Sequence, residues 1–346
     1  MIEFLKEVGR GKRGARDLTL AEASAAAERI LRGEATDAQI GAFLVAERIK
    51  MESTDELAAF AEALRKDSFT FPMAGSLDCA GPYDGRSKSF YATLPSAFVL
   101  AACGVPVTLH GSRSLPPKWG VTLPDVLERL GVDTDTEAAF ERLQRAGAES
   151  GVLFVPAELG CPALARMRGI RTQLGLRTVF NSAEKLLRYA GSPYLAFGVY
   201  HGTVFDKMAQ LIDMLGYKRA LITQGVEGSE DLPIHKRTRL YVIENRESEL
   251  VIIDPEVYQL HGEAEEGEWT AERQADTALA VLRGSAPMAA TDMTILNSGV
   301  RLWLTGAAGS IEEGLDRARV TLSAGQAYEK YKQWLEYAAG PTKAAP

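Results

Sequence analysis

Hydrophobic positions in the first 66 residues recur at helical spacing. Ala23, Ala26, Ala27, Ile30 and Leu31 form one stripe, Ile40, Phe43 and Leu44 a second, and Leu57, Phe60, Ala61 and Leu64 a third. A hydroxyl residue precedes each stripe, with an acid or amide three positions on: Thr19 with Glu22, Thr36 with Gln39, Ser53 with Glu56. At that spacing the hydroxyl accepts from one orphan N–H while the longer side chain accepts from the other. The pattern predicts a small all-helical domain over residues 1–66.

After "RKDSFTFP" the texture changes to short apolar runs that end in glycine-rich loops and alternate with helical stretches. "VPVTLHG", "GVLFVP", "PYLAFGVYHG" and "RALITQG" read as strands, and helices stand near "SAFVLAAC", "DVLERLG" and "FDKMAQLIDMLG". That alternation predicts an α/β domain with a mostly parallel sheet. "LYVIE" and "ELVIIDP" add a later pair of strands, and helices close the chain. Ligands in such sheets sit beyond the carboxyl ends of the strands. Four loops compete for that place: "AGPYDGRSK", "LHGSRSLPPK", "VPAELGCP" and "TQGVEGSEDLP".

Composition narrows the class. At 346 residues and 46% hydrophobic, the chain can bury a substantial core. No apolar run approaches the ~20 residues of a membrane span, and "MIEFLKEVGRGKRGARDL" lacks the apolar stretch of a signal peptide, so a cytoplasmic location is expected. Cys79, Cys103 and Cys161 are too few and scattered for a disulfide framework and read as free thiols. The net charge of −7 argues against a polyanion partner for the molecule as a whole. Charge is uneven, however: Lys6, Arg10, Lys12, Arg13 and Arg16 crowd the start, while "HGEAEEGEW" (261–269) is acidic.

Four strings in order resemble the anthranilate phosphoribosyltransferase family, glycosyltransferase family 3. "LHGSRS" is similar to its KHGNRS, "RGIRTQLGLRTVFN" to its RRELGIRTIFN, "RALITQGVEGSEDL" to its RALVVHGxDGLDE, and "GSIEEGLDRARVTLSAGQAYEKYKQW" to its last helices. The resemblance implies a helical domain of residues 1–66, with a returning segment at about 162–184. The α/β domain would comprise 67–161 and 185–346, and a homodimer would form through the helical part. It also implies a phosphoribosyl site at the loops. Asp84 and Gly85 match the end of the family's GTGGDG, Thr93 the end of its NIST, and His110, Gly111 and Arg113 its next loop. Arg171 matches the arginine that faces the aromatic amine, with a helix-surface bridge between domains as the other reading. Glu230 and Asp231 match an acid pair, reversed, that would hold Mg²⁺ if the protein is an enzyme.

Departures fall on the same loops. GTGGDG stands here as "AGPYDG", where Pro82 lacks an N–H and Tyr83 is bulky; Phe90, Leu109, Ser112 and Cys161 replace a family asparagine, lysine, asparagine and histidine. Pentosyl transfer depends on positioning and on cations at the departing pyrophosphate, which a broken cradle would not supply. "EVGRGKRGARDLT" and "GPYDGRSKSFYATLP" resemble the YbiB-like group, relatives associated with non-specific nucleic-acid binding. That second resemblance implies lost anthranilate transfer and contact with phosphates of single- or double-stranded nucleic acid. The contacts would come from Lys12, Arg13 and Arg16 with Asp84, Gly85, Arg86, Lys88, His110, Gly111, Arg113, Lys118 and Arg171. The alternative is a Mg²⁺-dependent phosphoribosyl- or pentosyltransferase acting on an aromatic amine or a changed acceptor, with a phosphorylated small molecule as its ligand. Trp119 offers either a stacking platform or ordinary packing.

Overall fold

The computed structural model describes residues 1–340 except 12, 261 and 264–266. Lys12, expected to contact phosphate, and part of the acidic run at 261–269 thus lie outside the described residues. The helical domain opens with α1 (Ile2–Val8), α2 (Leu20–Leu31), α3 (Asp37–Lys50) and α4 (Thr54–Lys66). All three expected capping boxes form, and the buried residues of α2 include every member of its stripe. The helix Pro162–Leu174 returns to pack on α2 and α3, and Phe180, in the short helix after it, meets Phe60 of α4 edge-on at 5.6 Å.

The α/β domain holds seven strands: β1 (Leu77–Ala80), β2 (Val107–Gly111), β3 (Val152–Pro156), β4 (Tyr194–Gly198), β5 (Arg219–Thr223), β6 (Thr238–Glu244) and β7 (Glu247–Ile253). Their order is β3-β2-β1-β4-β5-β6-β7. The first five are mutually parallel and the last two antiparallel, so the small helical domain joins a larger domain with a mostly parallel sheet, as the sequence leads one to expect. Alternation along each strand separates two cores. Leu195 and Phe197 belong to the core shared with the helical domain, whereas Ala196 joins the one under the C-terminal helices. Strand order reverses between β1 and β4, so the loops that follow them open the crevice where ligands of such sheets bind. No helix among the described residues is long and apolar enough to cross a membrane.

Candidate functional site: the cleft beyond β1 and β4

The loop after β1 is a tightly tied turn. Gly85 has φ +81, and a Cβ there would lie 2.4 Å from the Gly120 backbone, so only glycine fits. Arg86 and Val121 exchange backbone hydrogen bonds of 2.8 and 2.9 Å across the same approach. The Asp84 carboxylate, buried, accepts from Arg177 Nη2 at 2.8 Å and lies 3.0 Å from Lys118 Nζ. Tyr83 turns inward: its hydroxyl lies 2.6 Å from His110 Nδ1, and His110 Nε2 lies 2.9 Å from Asp78 Oδ1. His110 and Gly111 are interior residues of β2 rather than open ligand contacts, which corrects the expectation that they touch phosphate.

Arg86 and the acid pair require the largest correction. The sequence assigns Arg86 to phosphate and Glu230 with Asp231 to a metal, but the structure joins them to one another. Arg86 Nη1 donates to Asp231 Oδ2 at 2.5 Å and Nη2 to Glu230 Oε2 at 2.9 Å, while Arg301 Nη2 donates to Asp231 Oδ1 at 2.8 Å. All four side chains have 2% exposure or less. Gly81 permits the closure, since a Cβ there would sit 2.6 Å from Glu230 Oε2. Burial pushes the Asp231 carboxyl up, but the two guanidinium groups outweigh it and hold the acid below its ordinary range. Two fixed cations thus already neutralise the pair, and both oxygens of Asp231 already accept from a guanidinium. The residues do not fit a Mg²⁺ site as arranged. Among the described residues, no group of three or more His, Cys, Asp or Glu side chains gathers to hold a metal.

A cradle for an anion does exist, at the end of the expected loop, and a carboxylate of the chain itself fills it. Glu227 accepts from Ser87 N (3.0 and 3.1 Å), Lys88 N (2.9 Å), Ser87 Oγ (3.2 Å) and Ser89 Oγ (3.2 Å). Successive N–H groups converging on one oxyanion form a nest. Burial raises the Glu227 carboxyl, and the Lys88 and Ser87 amides more than offset this, leaving it below its ordinary value. Glu227 itself has φ +59, a conformation rare for a residue with a side chain. The "VEG" spelling gives no hint of this contact, which spans about 140 positions of chain.

The remaining expected cations are mostly engaged. Arg113 donates to Asp125, Glu128 and Asp135 at 2.8–3.0 Å, so it serves its own domain's helices. Arg171 is buried and donates to Glu184 at 2.6 Å, which corrects its assignment to an open amine site. Arg16 donates to Glu7 and Glu22 on the helical domain, away from the loops, and Arg13 is exposed there. Lys118 lies over Asp84, with desolvation lowering its pKa. Lys185, missed in the sequence, sits buried on the cleft floor, donating to Gly198 O at 2.7 Å; burial lowers it to about 8. Lys88, by contrast, is exposed, and it opens with Lys236 and Arg239 onto a cavity of about 710 Å³. A second cavity, about 210 Å³, follows the domain boundary past Tyr83, Arg177 and Lys207 and shares Tyr200 and Glu227 with the first. Lys236, Arg237 and Arg239 spell "KRTR", a basic run legible in the chain that the N-terminal cluster overshadowed.

Both the helical bundle and the α/β cleft are features of a known class. Residues 2–68 match the helical bundle domain of a glycosyl transferase family and residues 77–328 its a/b domain. The chain belongs to glycosyl transferase family 3. It is 35% identical over 310 residues to an anthranilate phosphoribosyltransferase of Desulfitobacterium hafniense, covering 86% of this chain and 88% of the relative. It is 30% identical over 347 residues to that of Persephonella marina, covering 98% and 99%. The crystal structure of the Thermus thermophilus anthranilate phosphoribosyltransferase superposes with a TM-score of 0.82 at 27% identity, covering 97% of this chain and 99% of that one. The Saccharomyces cerevisiae enzyme in complex with PRPP and Mg has a TM-score of 0.80 at 17% identity and covers 97% of each chain, a likeness of fold.

Proposed function

We propose that this chain is a YbiB-like member of glycosyl transferase family 3 that has lost anthranilate transfer and binds nucleic acid without sequence preference. One observation carries the reading: the acid pair at Glu230 and Asp231 is closed by Arg86 and Arg301 instead of standing open to a hydrated cation. A transferase in this class depends on cations placed at the departing pyrophosphate. Here Arg86 and Arg301 are committed to carboxylates and Lys185 to a backbone carbonyl, and the nearest oxyanion nest holds Glu227. Exposed Lys88, Lys236 and Arg239 remain available for phosphates at the mouth. We also propose a homodimer, since the helical domain leaves Ile2, Ile49 and Met51 exposed.

The likeness to relatives named anthranilate phosphoribosyltransferase favours a second reading, a Mg²⁺-dependent phosphoribosyltransferase with a changed acceptor. Binding of fluorescent single-stranded DNA across a salt series, with PRPP and Mg²⁺ as competitor, separates the two. Affinity that falls steeply with salt and ignores the competitor supports the binding protein. An absence of DNA binding, or displacement by Mg²⁺ and PRPP, supports the transferase.

A further inference from the structure

The geometry points to the groove over the connection from β5 to β6, lined by Lys88, Lys236, Arg239 and Tyr200, as the track of a single nucleic-acid strand. This rests on the nucleic-acid reading above and moves its contact surface away from the N-terminal arginines.

Three observations converge on that groove. The first is free charge. Lys88, Lys236 and Arg239 are exposed, and none has an ion-pair partner among the described residues; Arg237 between them is tied to Asp254 at 2.6 Å. Two of the acids nearby are spent, Glu227 in its nest and Asp84 held by Lys118 and Arg177, while Glu263 stands exposed across the adjoining cavity from Lys88 and Lys236. Three unpaired cations against one exposed acid leave the described wall of the groove net positive although the chain is acidic. The N-terminal cluster shows the reverse, since Arg10 and Arg16 are both paired with Glu7.

The second observation is aromatic. Tyr200 is 52% exposed at the junction of the two cavities, with the Arg177 guanidinium 5.5 Å from its ring centroid. An exposed ring lining the same cavity as the unpaired Lys88, Lys236 and Arg239, as Tyr200 does, suits unpaired bases, which present a face to stack; a duplex hides those faces. The third is continuity. The larger cavity meets the interdomain crevice at Tyr200 and Glu227, so a strand leaving the rim has a path toward Lys207.

The test is anisotropy of labelled oligothymidylate with the full chain, its Lys236→Ala/Arg239→Ala variant, Arg13→Ala and Tyr200→Ala, with an unlabelled duplex as competitor. Thermal unfolding checks that each variant folds. At about 0.7 per phosphate contact on a single strand, the double variant should flatten the log–log salt slope by about 1.4. Tyr200→Ala should weaken binding by about fivefold or more and leave the slope unchanged. Arg13→Ala should leave both unchanged. If the parent binds but the double variant keeps its slope while Arg13→Ala loses it, the groove assignment falls and the nucleic-acid reading survives. Equal competition by duplex overturns the single-strand assignment, and a parent that binds no oligonucleotide overturns both.

Discussion

On the floor of the cleft, Arg86 and Arg301 face Glu230 and Asp231 with almost no exposed surface. At its rim Lys88, Lys236 and Arg239 stand in water without a carboxylate partner among the described residues. The two layers use the same chemistry for opposite ends. A buried guanidinium committed to a carboxylate is structure, because removing either partner strands a charge in low dielectric. An exposed, unpartnered cation adds little to stability and remains free to meet an outside anion. Neither role is visible in a count of charges.

The comparison breaks most visibly at Arg86. Arg86→Ala should cost about 3–5 kcal/mol in urea unfolding, by leaving Glu230 unpaired and Asp231 with Arg301 alone. A loss below about 1 kcal/mol would mean the floor is not held by this pair. A double variant, Arg86→Met with Glu230→Gln, which keeps Asp231 paired with Arg301, should recover much of that loss.

A buried acid of the helical domain supplies the contrast. Glu47 is 1% exposed, and its nearest cation, Lys50, is 3.6 Å away and shared with Glu56 and Asp17. Burial, then the Glu56 charge, pushes the Glu47 carboxyl up to about 9. Because the folded value lies above the unfolded one near 4.5, its contribution is complete below pH 4.5 and is lost as pH rises toward 9. Glu47→Gln should therefore stabilise the protein by on the order of 2 kcal/mol at pH 8 and have little effect at pH 4.

Asp231 runs in the other direction. Its folded value is depressed below 3.8, so its stabilising contribution is present above that pH and is lost as pH falls through the folded value. Urea midpoints measured between pH 7 and pH 3 should drop more steeply for the parent than for Asp231→Asn, with the divergence confined to the acid end. The smallest effect belongs to the rim: Lys236→Ala and Arg239→Ala should each move stability by less than about 0.5 kcal/mol. A larger loss would place those cations in the fold rather than in the groove.

How much of this was legible in the chain depends on whether the cause is local. Thr19, Thr36 and Ser53 announce their helices because a capping box is complete within four residues. β1 is harder to see, since Leu77–Ala80 is four residues long, buried throughout and without alternation. Asp-Gly is a pairing common in tight turns, yet nothing near Asp84–Gly85 reveals the Gly120 backbone that the turn must clear. The partners of Arg86 lie about 145 positions away, and the sequence shows a cation and two acids without saying that they meet. The same holds for Glu227 and its nest. The resemblance points to the loops where the family keeps its ligands, and "KRTR" lies beyond the motifs that carry it.

Isothermal titration of PRPP into the full chain, with and without Mg²⁺, tests the closed floor most directly. With Arg86 and Arg301 seated between the acids, no saturable heat should depend on Mg²⁺. Saturable, Mg²⁺-dependent binding would show that the acid pair opens to a metal, and would contradict the account.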